Sequence, residues 1–257
     1  MSLDGRRVLV VGGGTRPSPE PDAPPGNGRA IAVASVRAGA AVVVSDKDLG
    51  AAEETVALAR AEGGVAHAVQ ADVADSDACA RMVAEAHEAL GGLDGLVLNV
   101  GIGLGAGGLA GTTAGHWDTT FAVNVRSHFL TIQAAFPLMT DGGSVVLISS
   151  LAGLKPGSRL PAYDASKAAQ FGLARHAAIE GARHGIRVNT VAPGLIDTPL
   201  GRAATAGRPS RGTTRIPLGR QGTAWEVADA TVFLLGSQSS YITGQVLAVD
   251  GGLSTLA

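Results

Sequence analysis

Short runs of β-branched and aliphatic residues alternate with longer amphipathic, alanine-rich runs along the whole chain. The runs RRVLVV (6–11), AAVVVS (40–45), VAHAVQ (65–70), GLVLN (95–99), SVVLIS (144–149), IRVNTVA (186–192) and QVLAV (245–249) predict seven strands. Several are apolar at successive positions, as expected of strands that helices cover on both faces. Helical periodicity predicts helices near 28–38, 50–62, 75–90, 114–138, 161–184 and 224–236. Asp75 or Ser76 is placed to cap the third, and Gly39 and Gly91 to end helices. The alternation runs from end to end, so it predicts one α/β domain over residues 1–257, a doubly wound parallel sheet of Rossmann type. Two loops rich in glycine or proline, 101–113 and 194–222, follow predicted strands. Ligands of such sheets bind beyond the carboxyl ends of the strands, which makes these loops candidate cleft walls.

Composition narrows the classes. With 46% hydrophobic and 16% charged residues, the 257-residue chain can build a substantial core. A net charge of −2 and a pI of about 6.3 offer no basic field for nucleic acid or an anionic membrane. Cys79 is the lone cysteine, so no intrachain disulfide is possible, and its alanine-rich helical setting reads as packing. The six histidines show no metal-ligand spacing, and no metal is expected. No apolar run is long enough for a membrane helix or a signal-peptide core, so the protein is expected to be cytoplasmic.

The candidate chemistry begins with VVGGGTRPSPEPDAPPGNGRAIA (10–32), a glycine turn interrupted by a proline-rich segment. Gly12 ends the first predicted strand, and Gly26 and Gly28 stand at the start of the first helix. Glycine lets backbone approach a pyrophosphate, and a helix start supplies free N–H groups and a favourable dipole. Asp46, eighteen residues after Gly28 and at the end of the second strand, is spaced to bind an adenosine ribose. A carboxylate there repels a 2′-phosphate, which favours NAD over NADP, although Lys47 next to it could tolerate the phosphate. Residues 15–25 lack apolar periodicity and hold five prolines, so they are expected to form a stiffened surface excursion beside the adenosine end of the cofactor.

Further motifs follow in a fixed order. These are ADV (71–73), LNVG (98–101), FAVNV (121–125), ISS (148–150), YDASK (163–167), VNTVAPGLIDTP (188–199) and YITGQVLAVDGG (241–252). Together with Val11-Gly12 and Gly26-Asn27-Gly28, the chain resembles the short-chain dehydrogenase/reductase family over almost its full length. Ser150 precedes Tyr163 by thirteen residues, the separation that family shows. The chain departs from the family pattern in three places. Val11 stands for the loop threonine, LNVG for NNAG, and the proline-rich segment interrupts the phosphate loop.

The resemblance implies a hydride-transfer oxidoreductase acting on a secondary alcohol or ketone. Tyr163 and Lys167, four apart, share one helical face. A nearby ammonium lowers the pKa of a phenol, fitting Tyr163 for general acid–base work. Ser150 is placed to hydrogen-bond the substrate oxygen, and Asn124 to hold a water in a relay with Lys167. By the same resemblance Lys167 holds the nicotinamide ribose, Asp72 meets the adenine and Thr198 the carboxamide. Asn27, Val73, Asn99, Gly101, Pro193, Gly194 and Ile196 line the rest of the cofactor's path. The family also implies a homotetramer. The substrate stays open: Arg202, Arg208, Arg211 and Arg215 could draw in a carboxylate, a phosphate or an acyl carrier, or form a solvated face. Two other readings stand beside this one: an NADP-dependent 3-oxoacyl thioester reductase, and a binding protein of the same fold that senses NAD(H) without turnover.

Overall fold

The computed structural model describes residues 2–20, 22–206 and 208–256; Met1, Pro21, Gly207 and Ala257 lie outside the described residues. The first half alternates strictly: β1 (Arg7–Val11), α1 (Asn27–Arg37), β2 (Ala41–Asp46), α2 (Leu49–Ala61), β3 (Ala66–Gln70), α3 (Ser76–Leu90) and β4 (Leu93–Leu98). Next come α4 (Ala114–Phe121), a π-helical turn (Ala122–Arg126), α5 (Ser127–Ala135), β5 (Met139–Ile148), α6 (Pro161–Ala182) and β6 (Arg187–Pro193). The chain then makes β7 (Ile196–Asp197), α7 (Pro199–Ala206), α8 (Pro209–Gly212), β8 (Gly222–Thr223), α9 (Ala224–Leu235) and β9 (Val246–Val249).

Seven strands form one parallel sheet in the order β3-β2-β1-β4-β5-β6-β9. Successive side chains of a strand serve opposite faces. Val8, Val10, Val42 and Val44 accordingly pack with Ile31, Val232 and Leu234 on one side. Leu9, Val11 and Val43 pack with Met82, Ile132 and Ala177 on the other. This two-sided burial is what the uninterrupted apolar strands predict. Chain order reverses between β1 and β4, so the loops after these strands diverge and leave a crevice at their carboxyl ends.

The predicted third-helix start resolves to Asp75, whose carboxylate accepts from the N–H of Asp77. Gly91 ends that helix in the left-handed region (φ 67°). Two expectations change. The helix expected over 114–138 is broken by the π-helical turn around Asn124. The loop expected over 194–222 contains α7, α8 and the two-stranded β7–β8 pair.

Candidate active site

The glycine turn lies in the crevice. Gly12 adopts φ +77°, and the N–H groups of Gly12 and Gly13 both donate to Ser45 O. A Cβ on Gly28 would sit 2.0 Å from Gly12 O, so only glycine lets α1 start this close to the end of β1. Asn99, at the end of β4, donates from Nδ2 to Gly12 O at 2.7 Å, and Thr55 from its hydroxyl to Gly13 O at 2.9 Å. These two bonds brace the turn where the family threonine is replaced by Val11. No side chain caps the first turn of α1, leaving its N–H groups open, and the buried amide oxygen of Asn27 has no partner among the described residues. Asp46 accepts from the N–H groups of Gly14 (3.1 Å) and Asp48 (3.2 Å), which fixes the carboxylate at the lip of the turn. Glycine cradle, open helix start and anchored carboxylate fit a dinucleotide.

Asp72 is exposed and closes a turn by accepting from the N–H of Ala74, while Val73 is buried beside Cys79. At the other side of the crevice Pro193 is buried in β6, and Gly194 passes so close to Asp250 that a Cβ would meet it at 2.7 Å. Ile196 is held in the β7–β8 pair. Thr198 is 7% exposed and accepts from the N–H of Gly201, so its hydroxyl caps α7 and keeps its proton and one lone pair to offer.

Ser150, Tyr163 and Lys167 converge. Ser150 follows β5, its hydroxyl accepts from the N–H of Ala152, and it lies near enough to the phenol of Tyr163 on the first turn of α6 to favour the phenolate. Lys167, one turn on and 3% exposed, puts Nζ 5.8 Å from the centre of the Tyr163 ring and donates to Ile148 O at 3.0 Å. Burial pushes this amine down to about 7. Burial also raises the phenol; the Ser150 hydroxyl and the Arg211 charge oppose that rise, and Asp164 adds to it. Gly101 leaves room beneath the amine, since a Cβ there would lie 3.0 Å from Lys167 Nζ.

Asn124 is fully buried at the centre of the π-helical turn. Its Oδ1 accepts from the N–H of Ile102, and its Nδ2 donates to Ile102 O and to Ser166 Oγ. The amide thus holds the loop after β4 against α6. Its backbone carbonyl accepts from Gln170 Nε2 at 2.6 Å, and Gln170 also meets His128 Nδ1 at 3.1 Å. Burial and the Lys167 charge push His128 down to about 3. Sequence reasoning missed His128, Gln170, Ser166, Gly153 and Ser149, whose hydroxyl donates to Lys167 O at 2.7 Å. At Gly153 a Cβ would strike the backbone of Lys167 at 2.7 Å, and glycine before a YxxxK run was an available signal.

The proline-rich excursion leaves the turn between Thr15 and Gly26, which are joined by a Gly26 N–H bond to Thr15 Oγ1 at 3.1 Å. Glu20 ion-pairs with Arg202 on α7, and Arg202 is held in turn by Asp197, so the excursion, expected beside the adenosine end, makes contact with the lid segment 194–222.

A family model described as "Enoyl-(Acyl carrier protein) reductase" matches residues 24–254. The chain is 35% identical to 2-(S)-hydroxypropyl-CoM dehydrogenase 3 of Xanthobacter autotrophicus, over 97% of this chain and 96% of that one. A short-chain dehydrogenase of Burkholderia cenocepacia, solved in complex with NADP, is 36% identical with a TM-score of 0.87, covering 99% of this chain and all of that one. A 7α-hydroxysteroid dehydrogenase solved with NADH and 7-oxoglycochenodeoxycholic acid is 31% identical with a TM-score of 0.89, covering 98% and 95%. The chain belongs to the short-chain dehydrogenase/reductase family and is an NAD(P)-dependent oxidoreductase acting on CH–OH groups.

Proposed function

We propose that the protein interconverts a secondary alcohol and its ketone with NAD(H) as the preferred cofactor and Tyr163 as general acid and base. The observation that carries this reading is the convergence of Ser150, Tyr163 and Lys167 beside the glycine cradle. The nicotinamide, when bound, gives the hydride in reduction and takes it in oxidation. Tyr163 gives its proton to the carbonyl oxygen in reduction and takes the hydroxyl proton in oxidation. Ser150 holds the same oxygen as charge develops on it. The Lys167 ammonium favours the phenolate and, as in the family, holds the nicotinamide ribose. Asn124 keeps Ile102 and Ser166 in place around that amine.

Preference for NAD rests on Asp46. Its oxygens are fixed by two backbone N–H groups at the lip of the turn, where they accept from a ribose hydroxyl and repel a phosphate. The test is a panel of secondary alcohols and ketones assayed by nicotinamide absorbance with both cofactors, on wild type and Asp46→Ala. Turnover with a higher kcat/KM for NAD, shifted toward NADP in the variant, supports the reading. Wild-type preference for NADP overturns the Asp46 argument and favours the oxoacyl reductase. Cofactor binding with no turnover across the panel replaces the enzyme with a sensor.

A further inference from the structure

We propose that the substrate carries a compact anion, such as a carboxylate, which Arg211 receives beside Tyr163 with Arg208 next to it. The proposal rests on the oxidoreductase reading above and names the substrate class for that site.

The arginines of the lid fall into two groups. Arg202 is neutralised by Asp197 and Glu20, and Arg220 by Glu226. Arg208, Arg211 and Arg215 make no ion pair among the described residues, and of these Arg215 is exposed to solvent. Arg211 donates from Nη1 to Gly201 O at 2.9 Å and to Thr205 Oγ1. Arg208 donates from Nη1 to Ser158 O and, at 3.5 Å, to Gly157 O. Each guanidinium therefore keeps Nε and Nη2 without a hydrogen bond among the described residues. Those two nitrogens form the edge that grips a carboxylate side-on.

Both side chains are half-buried. Burial and the neighbouring Arg208 charge both work against the Arg211 guanidinium. Two partly desolvated like charges without a counter-ion are costly, and a substrate anion would relieve them. Asp164 is the nearby carboxylate, but it accepts from the N–H groups of Gly157 and Ser158 and pairs with neither arginine.

The position suits a substrate. The Arg211 charge reaches the phenol of Tyr163 and favours its ionised form. Arg208 grips the segment that leads from Ser150 into α6. Arg211 also lines a cavity of about 220 Å³ with Leu195, Ile216 and Gln221. An anion received by Arg211 would be held by the lid, while Arg208 ties the lid to the segment that leads into α6.

The experiment compares oxo acids and hydroxy acids of graded chain length with their methyl esters, and adds sulfonate and phosphate analogues as separate arms. Wild type is expected to prefer the anionic member of each pair by about tenfold or more in kcat/KM. In Arg211→Gln that preference should fall by about tenfold or more, mainly through substrate KM, with a smaller loss in Arg208→Gln. Arg211→Lys, which keeps the charge and loses the fork, should fall between, and it serves if the glutamine variant does not fold. Equal use of acid and ester by wild type overturns the proposal. So does an Arg211→Gln variant that loses both members alike, or whose defect lies in cofactor KM. Calorimetric titration of the acids into the whole protein, with and without cofactor, separates the two readings. Acid binding lost in Arg211→Gln without turnover keeps the anion site and rejects the oxidoreductase, whereas turnover without acid preference does the reverse.

Discussion

Tyr163 works against its surroundings. Burial resists the phenolate, while the Ser150 hydroxyl and the Arg211 charge pull the other way. Reduction needs the phenol and oxidation the phenolate. The rate of ketone reduction should therefore be highest at low pH and fall as pH rises through the Tyr163 pKa, with oxidation showing the mirror image on the alkaline side. Profiles of kcat/KM in both directions check this, and Tyr163→Phe should lower kcat by ~10²–10⁴ while cofactor affinity stays within a few fold. His128 carries a second pH effect. Its folded pKa of about 3 lies below the ordinary 6.5, so the unfolded chain binds the extra proton and stability falls as pH drops below 6.5. Lys167, at about 7, is largely charged in both states there and adds little. Denaturant midpoints should therefore decline between pH ~6.5 and ~5 by up to ~1.4 kcal/mol per pH unit, and His128→Asn should flatten the decline. Ser150, Tyr163 and Lys167 were legible because their spacing is itself a signal. His128 and Gln170 were not, because only packing brings them to the Asn124 carbonyl.

Among elements, the π-helical turn matters most to the site. Residues 114–138 read as one helix, since a single extra residue in a turn leaves the apolar period almost unchanged. The wider turn changes the hydrogen bonding locally, and Asn124 meets Ile102, Ser166 and Gln170 there. Asn124→Leu would strip partners from the N–H and C=O of Ile102. With each unsatisfied group costing ~1–3 kcal/mol, the variant should lose about 2–6 kcal/mol in urea unfolding and much of its kcat. Retention of both would confine Asn124 to the helix itself. The lid escaped sequence reading for a different reason. Its strands are two residues long and α8 has four, too short for any period to show, and the loop-like composition of 194–222 masks α7.

At the scale of the molecule, the sheet order was the most legible feature. Strands apolar on both faces, separated by helices, leave few topologies, and the β1–β4 reversal then fixes where a crevice opens. The reach of the excursion was not legible, because a Glu20–Arg202 pair spans the chain from one loop to another. Surface ion pairs of this kind contribute little to stability. Replacing residues 16–25 by a short Gly/Ser linker should therefore leave thermal unfolding nearly unchanged and alter mainly the KM for the cofactor. A tenfold fall in kcat at unchanged KM would show that the excursion takes part in the chemical step. Trp117 on α4 (40% exposed) and Phe129 on α5 (46%) leave aromatic surface open on neighbouring helices, and light scattering reads the oligomeric state directly.

The Thr15–Gly26 bond at the neck of the excursion has a practical side. With the two ends pinned together, the length of chain between them is nearly a free variable, since each doubling of a loop costs only ~0.6 kcal/mol in closure entropy. A fluorescent domain whose own termini lie close could be spliced in at this neck without pulling on β1 or α1. Its emission would then report the surroundings of the phosphate turn, and a titration with NAD(H) would read whether those surroundings change on binding.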